Sequence, residues 1–256
     1  MAKPIKLQFN KRRYGGFSGN QLKLIAFFLM LCDHVGYMLI ENGVLYGQNP
    51  VYWTMALQTA EGQHWYLAAR ILRFIGRISF PLFAYMIVEG FLHTRNVRNY
   101  ALRLLIFAIL SEVPFDLACQ GVIWYPEYQN VMFTLFLGVP TMALMERVRK
   151  HPLLQIVMAA LGCAAGYLLR SDYGAAGVLL IAAMYLLRNE RMPQLFVGAA
   201  ISALESYEYC GVSALAFLLL RFYNGKRGDF SMKYFFYLMY PLHLLLFYAL
   251  VYFGNR

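Results

Sequence analysis

The sequence predicts an all-α fold: a polytopic transmembrane helical bundle of about nine spans with its N-terminus in the cytoplasm. Three observations predict it. Of 256 residues, 60% are hydrophobic and 14% charged, whereas soluble domains are about a quarter charged. The apolar residues arrive in blocks of about 15–20, near the length a helix needs to cross roughly 30 Å of hydrocarbon. Finally, the net charge of +10, from 23 Lys+Arg against 13 Asp+Glu, is divided by aromatic-rich apolar stretches instead of gathering into one stripe. That division argues for a bilayer and against nucleic acid as the partner. Cys32, Cys119, Cys163 and Cys210 are scattered without C-x-x-C spacing, so neither a disulfide framework nor a metal site is expected.

Each element follows in chain order. Residues 1–20 form a basic cytoplasmic segment with Lys3, Lys6, Lys11, Arg12 and Arg13 and no acid. The apolar run 22–40 has no small-residue cleavage site behind it, which predicts a retained first helix. Residues 41–63 are expected to be a loop, with Tyr46, Tyr52 and Trp53 at the far interface. Further spans are expected over 74–93, 101–118, 130–146, 153–169, 174–187, 193–204, 210–222 and 234–253, those at 174–187 and 193–204 being short enough for tilted or half-helices. Residues 21–256 thus read as a single membrane domain. With the N-terminus inside, every Lys and Arg except Arg70, Arg73, Arg77, Arg170 and Arg256 falls on the cytoplasmic side, as the charge rule for short loops requires.

Charged side chains at membrane depth are costly and usually face an internal cavity. Asp33 and His34 interrupt the first helix, and His34 lies eleven residues beyond Lys23. Eleven steps of 100° make three turns plus about 20°, so the two share a face, with His34 about 16 Å deeper. A donor anchored at the edge by its phosphates can present its reactive end to the imidazole there. The plainer reading is that His34 and Asp33 pair to fix packing. Arg70, Arg73 and Arg77 form a stripe entering the second span, either a snorkelling cluster or a functional one. Glu89 stands before Gly90 near the cytoplasmic end of that span, where Arg95 or Arg98 offers it a salt bridge. Arg95, Arg98 and Arg103 together suit phosphate, though any positive-inside loop resembles them. Glu112 and Asp116, within Ser111-Glu112-Val113-Pro114-Phe115-Asp116, make an acidic far-side mouth, near Asn130, Asp172 and Glu205. It is either a vestibule for an amine or a solvated rim. In Tyr240-Pro241-Leu242-His243, a mid-membrane imidazole faces His34 across a cavity or steadies a proline kink.

Several of these motifs together resemble the TraX family: Lys23-x10-His34 with Asp33, Gly76-Arg77-Ile78-Ser79-Phe80-Pro81-Leu82-Phe83, Glu89-Gly90-Phe91, Ser111 to Asp116, Asn130-Val131-Met132-Phe133-Thr134-Leu135, and Tyr237 to His243. The resemblance runs from about residue 19 to 252. The family's namesake is implicated in N-terminal acetylation of the conjugative pilin. A more distant likeness is to the integral-membrane acyltransferases that O-acetylate surface polysaccharides, which carry a basic residue before a first-helix histidine, a Gly-Phe and an Arg-x-x-Arg. Lys23 with His34, Gly90-Phe91, and Arg95 with Arg98 correspond; Glu89 stands where that group often has serine.

The resemblance implies a multi-pass bacterial inner-membrane acyltransferase taking acetyl-CoA from the cytoplasm. Its phosphates would dock on Lys23, Arg95, Arg98 and Arg103. His34 would act as general base or as covalent acetyl carrier, with Asp33, Arg77 and His243 completing the catalytic set. Arg73, Glu89, Glu112 and Asp116 would hold the acceptor, a peptide amine or a hydroxyl of a glycan or lipid. The competing classes are a proton- or ion-coupled transporter, since intramembrane Asp, Glu, His and Arg also build relays, and a non-catalytic scaffold for secretion assembly. No paired halves are visible in the hydropathy to favour the transporter.

Overall fold

In a computed structural model, which describes residues 15–229 and 233–254, the regular elements are helices. The basic residues Lys3 to Arg13, the side chain of Lys233, and Arg256 lie outside the described residues. Helix α1 (Gly19–His34) continues without interruption into a π-helical stretch, Val35–Val44. Then come α2 (Pro50–Leu57), α3 (Ala60–Gly76), α4 (Ser79–His93), α5 (Val97–Gln120), α6 (Val131–Arg147), α7 (Pro152–Leu168), α8 (Gly174–Leu186) and α9 (Arg191–Glu205). Two 3-10 turns, Tyr207–Tyr209 and Val212–Leu215, lead to α10 (Ala216–Arg221), and α11 (Lys233–Gly254) ends the bundle. Among the described residues, three stretches are long and apolar enough to cross a membrane: Gly19–Val44, Ala60–His93 and Tyr234–Gly254. Pro152–Leu168, Gly174–Leu186 and Val212–Arg221 are shorter apolar helices.

The caps explain why α1 and α2 start where they do. At α1 the Ser18 hydroxyl accepts from the Gln21 N–H while the Gln21 side chain accepts from the Ser18 N–H, so two otherwise orphaned donors are satisfied reciprocally. The residues before α1 are tied to the chain beyond α10. Phe17 N–H donates to Phe222 O, and Gly19 and Asn20 donate to Lys226 and Arg227 carbonyls.

The expected loop at 41–63 is instead largely helical. Asn49 caps α2 by accepting from Val51 and Tyr52 N–H groups, Pro50 sits in the first turn, and Thr59 caps α3 by accepting from Gly62. Asn-Pro and a Thr cap are ordinary helix starts. Hydropathy misses α3 because its charged and polar residues, Glu61, Gln63, His64, Arg70 and Arg73, dilute an apolar face. The span expected at 210–222 is likewise broken. Cys210 and Gly211 adopt left-handed backbone, which ends one 3-10 turn and offsets the next.

Helix α4 is the centre of the bundle, buried from Ser79 through Glu89 on nearly every face, and α1, α6 and α8 pack around it. Helix α11 closes the other side of α1, resting on α5 and on the π-helical stretch. Between apolar helices in lipid, close approach through small residues replaces the hydrophobic drive available in water. Gly76 shows the consequence: a Cβ there would lie 2.6 Å from the Asp33 nitrogen and 2.7 Å from its Cα. That contact brings α3 and its arginines against the acid-bearing end of α1.

Candidate functional site

One face of α1 passes through two cavities in succession. Lys23, Phe27 and Met30 line the first, of about 470 Å³. Met30, Asp33, His34, Tyr37 and Met38 line the second, of about 500 Å³. Positions 23, 27, 30 and 34 fall on one stripe because three and four residues each make about one helical turn. The first cavity is otherwise mostly apolar, with Glu89, His93, Arg103 and Arg227 among its polar lining. The second is polar and aromatic, with Arg73, Arg77, Glu127, Asp172, Tyr128 and Tyr173.

The two mid-helix histidines meet. His34 Nδ1 lies 2.6 Å from His243 Nε2, with the rings 4.8 Å apart and 9° from parallel. His243 Nδ1 is 2.7 Å from the Met239 carbonyl. A carbonyl can only accept, so His243 carries its proton on Nδ1 and its Nε2 is a lone pair. His34 must then donate from Nδ1, which leaves its own Nε2 as the basic nitrogen. Tyr240 stands over both, its ring 6.5 Å from His34 and 5.6 Å from His243. The sequence leaves His243 either facing His34 across a cavity or steadying the proline kink; in the structure it meets His34 in a direct hydrogen bond.

Asp33 does not pair with His34. Its Oδ1 lies 3.7 Å from Arg77 Nε and 3.9 Å from Arg73 Nε, too far for hydrogen bonds, and these three atoms are buried without one. Arg73 has a closer partner, donating from Nη1 to Glu41 Oε2 at 2.7 Å. Tyr209 organises the stripe: the guanidiniums of Arg70, Arg77 and Arg73 lie 4.2, 5.1 and 5.9 Å from its ring centre. Arg73 also faces Tyr37 at 4.8 Å. Arginines stacked on aromatic faces keep their position while their charge stays available. Beside them Tyr128 donates to Asp172 at 2.6 Å, and Tyr173 stacks on Phe80 at 3.7 Å.

The remaining expected residues divide. Lys23, Glu89 and Arg103 line the first cavity. Glu89 accepts from the Tyr223 hydroxyl at 3.0 Å rather than from Arg95 or Arg98. Arg95, in the turn before α5, and Arg98, in its first turn, are exposed and line neither cavity. Glu112 and Asp116 are buried and turned to the loop that follows α5. Glu112 accepts from the Asn130 side chain, and Asp116 accepts from the Tyr125 N–H at 2.8 Å. Tyr37, Glu41, Tyr173 and Tyr209 were not expected at the site; no spacing rule ties residue 209 to residue 73.

Residues 18–251 match the family described as TraX protein. The chain belongs to the TraX family. A relative of this TraX protein is the "Probable fimbrial assembly protein FimC, serogroup H1" of Dichelobacter nodosus, 29% identical over 256 residues and covering 90% of this chain and 94% of the relative. No solved structure matches it. Together with its apolar helices, this membership makes the TraX chain a membrane protein.

Proposed function

We propose that this protein is an integral-membrane acetyltransferase of pilus or fimbria assembly, moving an acetyl group from cytoplasmic acetyl-CoA to an amine or hydroxyl presented from the far side. The supporting observation is the placement of the His34 imidazole, its Nε2 carrying the lone pair, on the helix face that runs from a cavity lined by Lys23 and Arg103 into a polar one. The assembly relative favours a pilin-type peptide amine as the first acceptor to try.

In this reading Lys23 and Arg103, with His93 and Arg227, hold the donor's phosphates, and Arg95 and Arg98 add attraction at the rim. His34 Nε2 takes the proton as the acceptor nitrogen or oxygen attacks the thioester carbonyl. The carbonyl oxygen becomes an oxyanion, which Arg77 stabilises. Collapse reforms the C=O, breaks the C–S bond, and returns the proton from His34 to the departing thiolate. The products are an acetylated acceptor and free CoA thiol. Asp33 and the Tyr209 ring fix Arg77 in place, and His243 fixes the tautomer of His34.

Protein purified in detergent, given acetyl-CoA labelled in the acetyl group and envelope membranes, should transfer label to a product identifiable by mass spectrometry. Arg103→Ala should weaken acetyl-CoA binding roughly tenfold, the loss of one charge-assisted phosphate contact. Absence of both transfer and acetyl-CoA binding, with proton or ion flux in liposomes, would replace this reading by a carrier. The orientation is testable separately. A cysteine replacing exposed Arg98, with the native cysteines removed, should react with impermeant reagent only from the cytoplasmic face; labelling from outside would invert the topology.

A further inference from the structure

Four side chains line both cavities: Met30 from α1, Phe83 from α4, and Val131 and Leu135 from α6. Met30 and Leu135 are buried, and Phe83 and Val131 pack half-buried against the same core. They form the boundary, or septum, that the first cavity shares with the one that holds His34. Its position along α1 is set by helical rise. Met30 is seven residues, about 10 Å, beyond Lys23 and only four residues, about 6 Å, short of His34. The last step before the imidazole is thus mostly apolar, lined on the donor side by Phe27, Leu104 and the ring of Tyr240 as well.

We propose that Met30, Phe83, Val131 and Leu135 are the acyl-length filter of the transferase, admitting a two-carbon acyl group and rejecting longer ones; this rests on the acyl-transfer reading above. A thioester whose phosphates stay at Lys23 and Arg103 reaches His34 only with its carbonyl at the septum. A longer acyl tail must then either part these four side chains or enter the second cavity beside His34, the space that the acceptor needs. Close-packed interiors yield little space without strain. Each added methylene in such a pocket lowers kcat/KM by about tenfold or more. The filter also keeps bulk water of the donor side from the thioester, since an apolar septum offers water no partners.

The experiment is transfer from a series of acetyl-, propionyl-, butyryl- and hexanoyl-CoA, reading kcat/KM for each. Wild type should fall about tenfold or more per methylene. Phe83→Ala and Leu135→Ala, each opening the septum from a different helix, should raise the butyryl-to-acetyl ratio at least tenfold. A flat length profile in the wild type overturns the filter without needing either variant, and so does a wild-type ratio in both variants that still transfer acetyl. Failure of the wild type to transfer any acyl group would sink the acyl-transfer reading itself, a result distinct from a flat profile.

Discussion

His34→Ala is expected to lower acetyl transfer by about 10²–10⁴-fold while leaving acetyl-CoA binding within a few-fold of wild type. The rate loss is that of a positioned general base. Binding survives because Lys23 and Arg103 line the other cavity, about 16 Å away along the helix in the case of Lys23. His243→Ala should cost less, about 10–100-fold, the usual effect of removing the partner that orients a functional imidazole. Without the Nε2 lone pair at 2.6 Å, His34 is free to carry its proton on either nitrogen. His243→Gln, whose amide oxygen can again accept from His34 Nδ1, should recover part of the rate, which a purely structural role would not predict. The double His34→Ala, His243→Ala variant should be no slower than His34→Ala alone, because residues acting as one unit are not additive. Transfer by a well-folded His34→Ala protein at near wild-type rate would remove the imidazole from the chemistry, and additive losses would dissolve the pair.

The parts of this arrangement that sequence made legible are those governed by a period. Lys23 and His34 share a face because eleven residues complete about three turns, and the structure sets them on the same stripe through two cavities. The apolar runs that became α4 through α9 and α11 were equally readable, since nothing competes with their helical pattern. What stayed hidden depends on long-range contact. Helix α3 is amphipathic, so averaging its hydropathy erased it, although the Thr59 cap was on display. Asp33 stands about 100° around the helix from its neighbour His34, so the sequence already points it toward another element; that this element is α3, with Arg77 brought near the carboxylate by Gly76, is visible only in the packed fold. Tyr209 lies on a short turn after α9, and only the packed fold places it under three arginines. Arg95 and Arg98 illustrate the converse. Their spacing suits phosphate, but the turn and helix start that they occupy lie outside both cavities.

Asp33→Ala should produce the largest loss of stability of any single change at the site, about 2–4 kcal/mol. Removing one partner of a buried pair costs about 3–5 kcal/mol because the other charge is left uncompensated. Two features lower that figure here. Arg73 retains Glu41 at 2.7 Å, so the burden falls on Arg77, and the Asp33 side chain is still 19% exposed where it borders the polar second cavity. In detergent this corresponds to a drop in Tm of roughly 5–15 °C. Asp33→Asn, which keeps volume and one acceptor, should fall between the two proteins. The contrast is with Arg149→Ala: its partner Glu146 is 3.4 Å away at a position where Arg149 is 52% exposed, and such pairs contribute at most about 1 kcal/mol. A cycle combining Asp33→Ala with Arg77→Ala separates charge from packing. If the pair is what matters, the double variant should be markedly more stable than the two single losses added together, because neither charge is then stranded. Losses that add, or an Asp33→Ala protein melting with the wild type, would mean that Asp33 and Arg77 are held by the bundle and do not hold it.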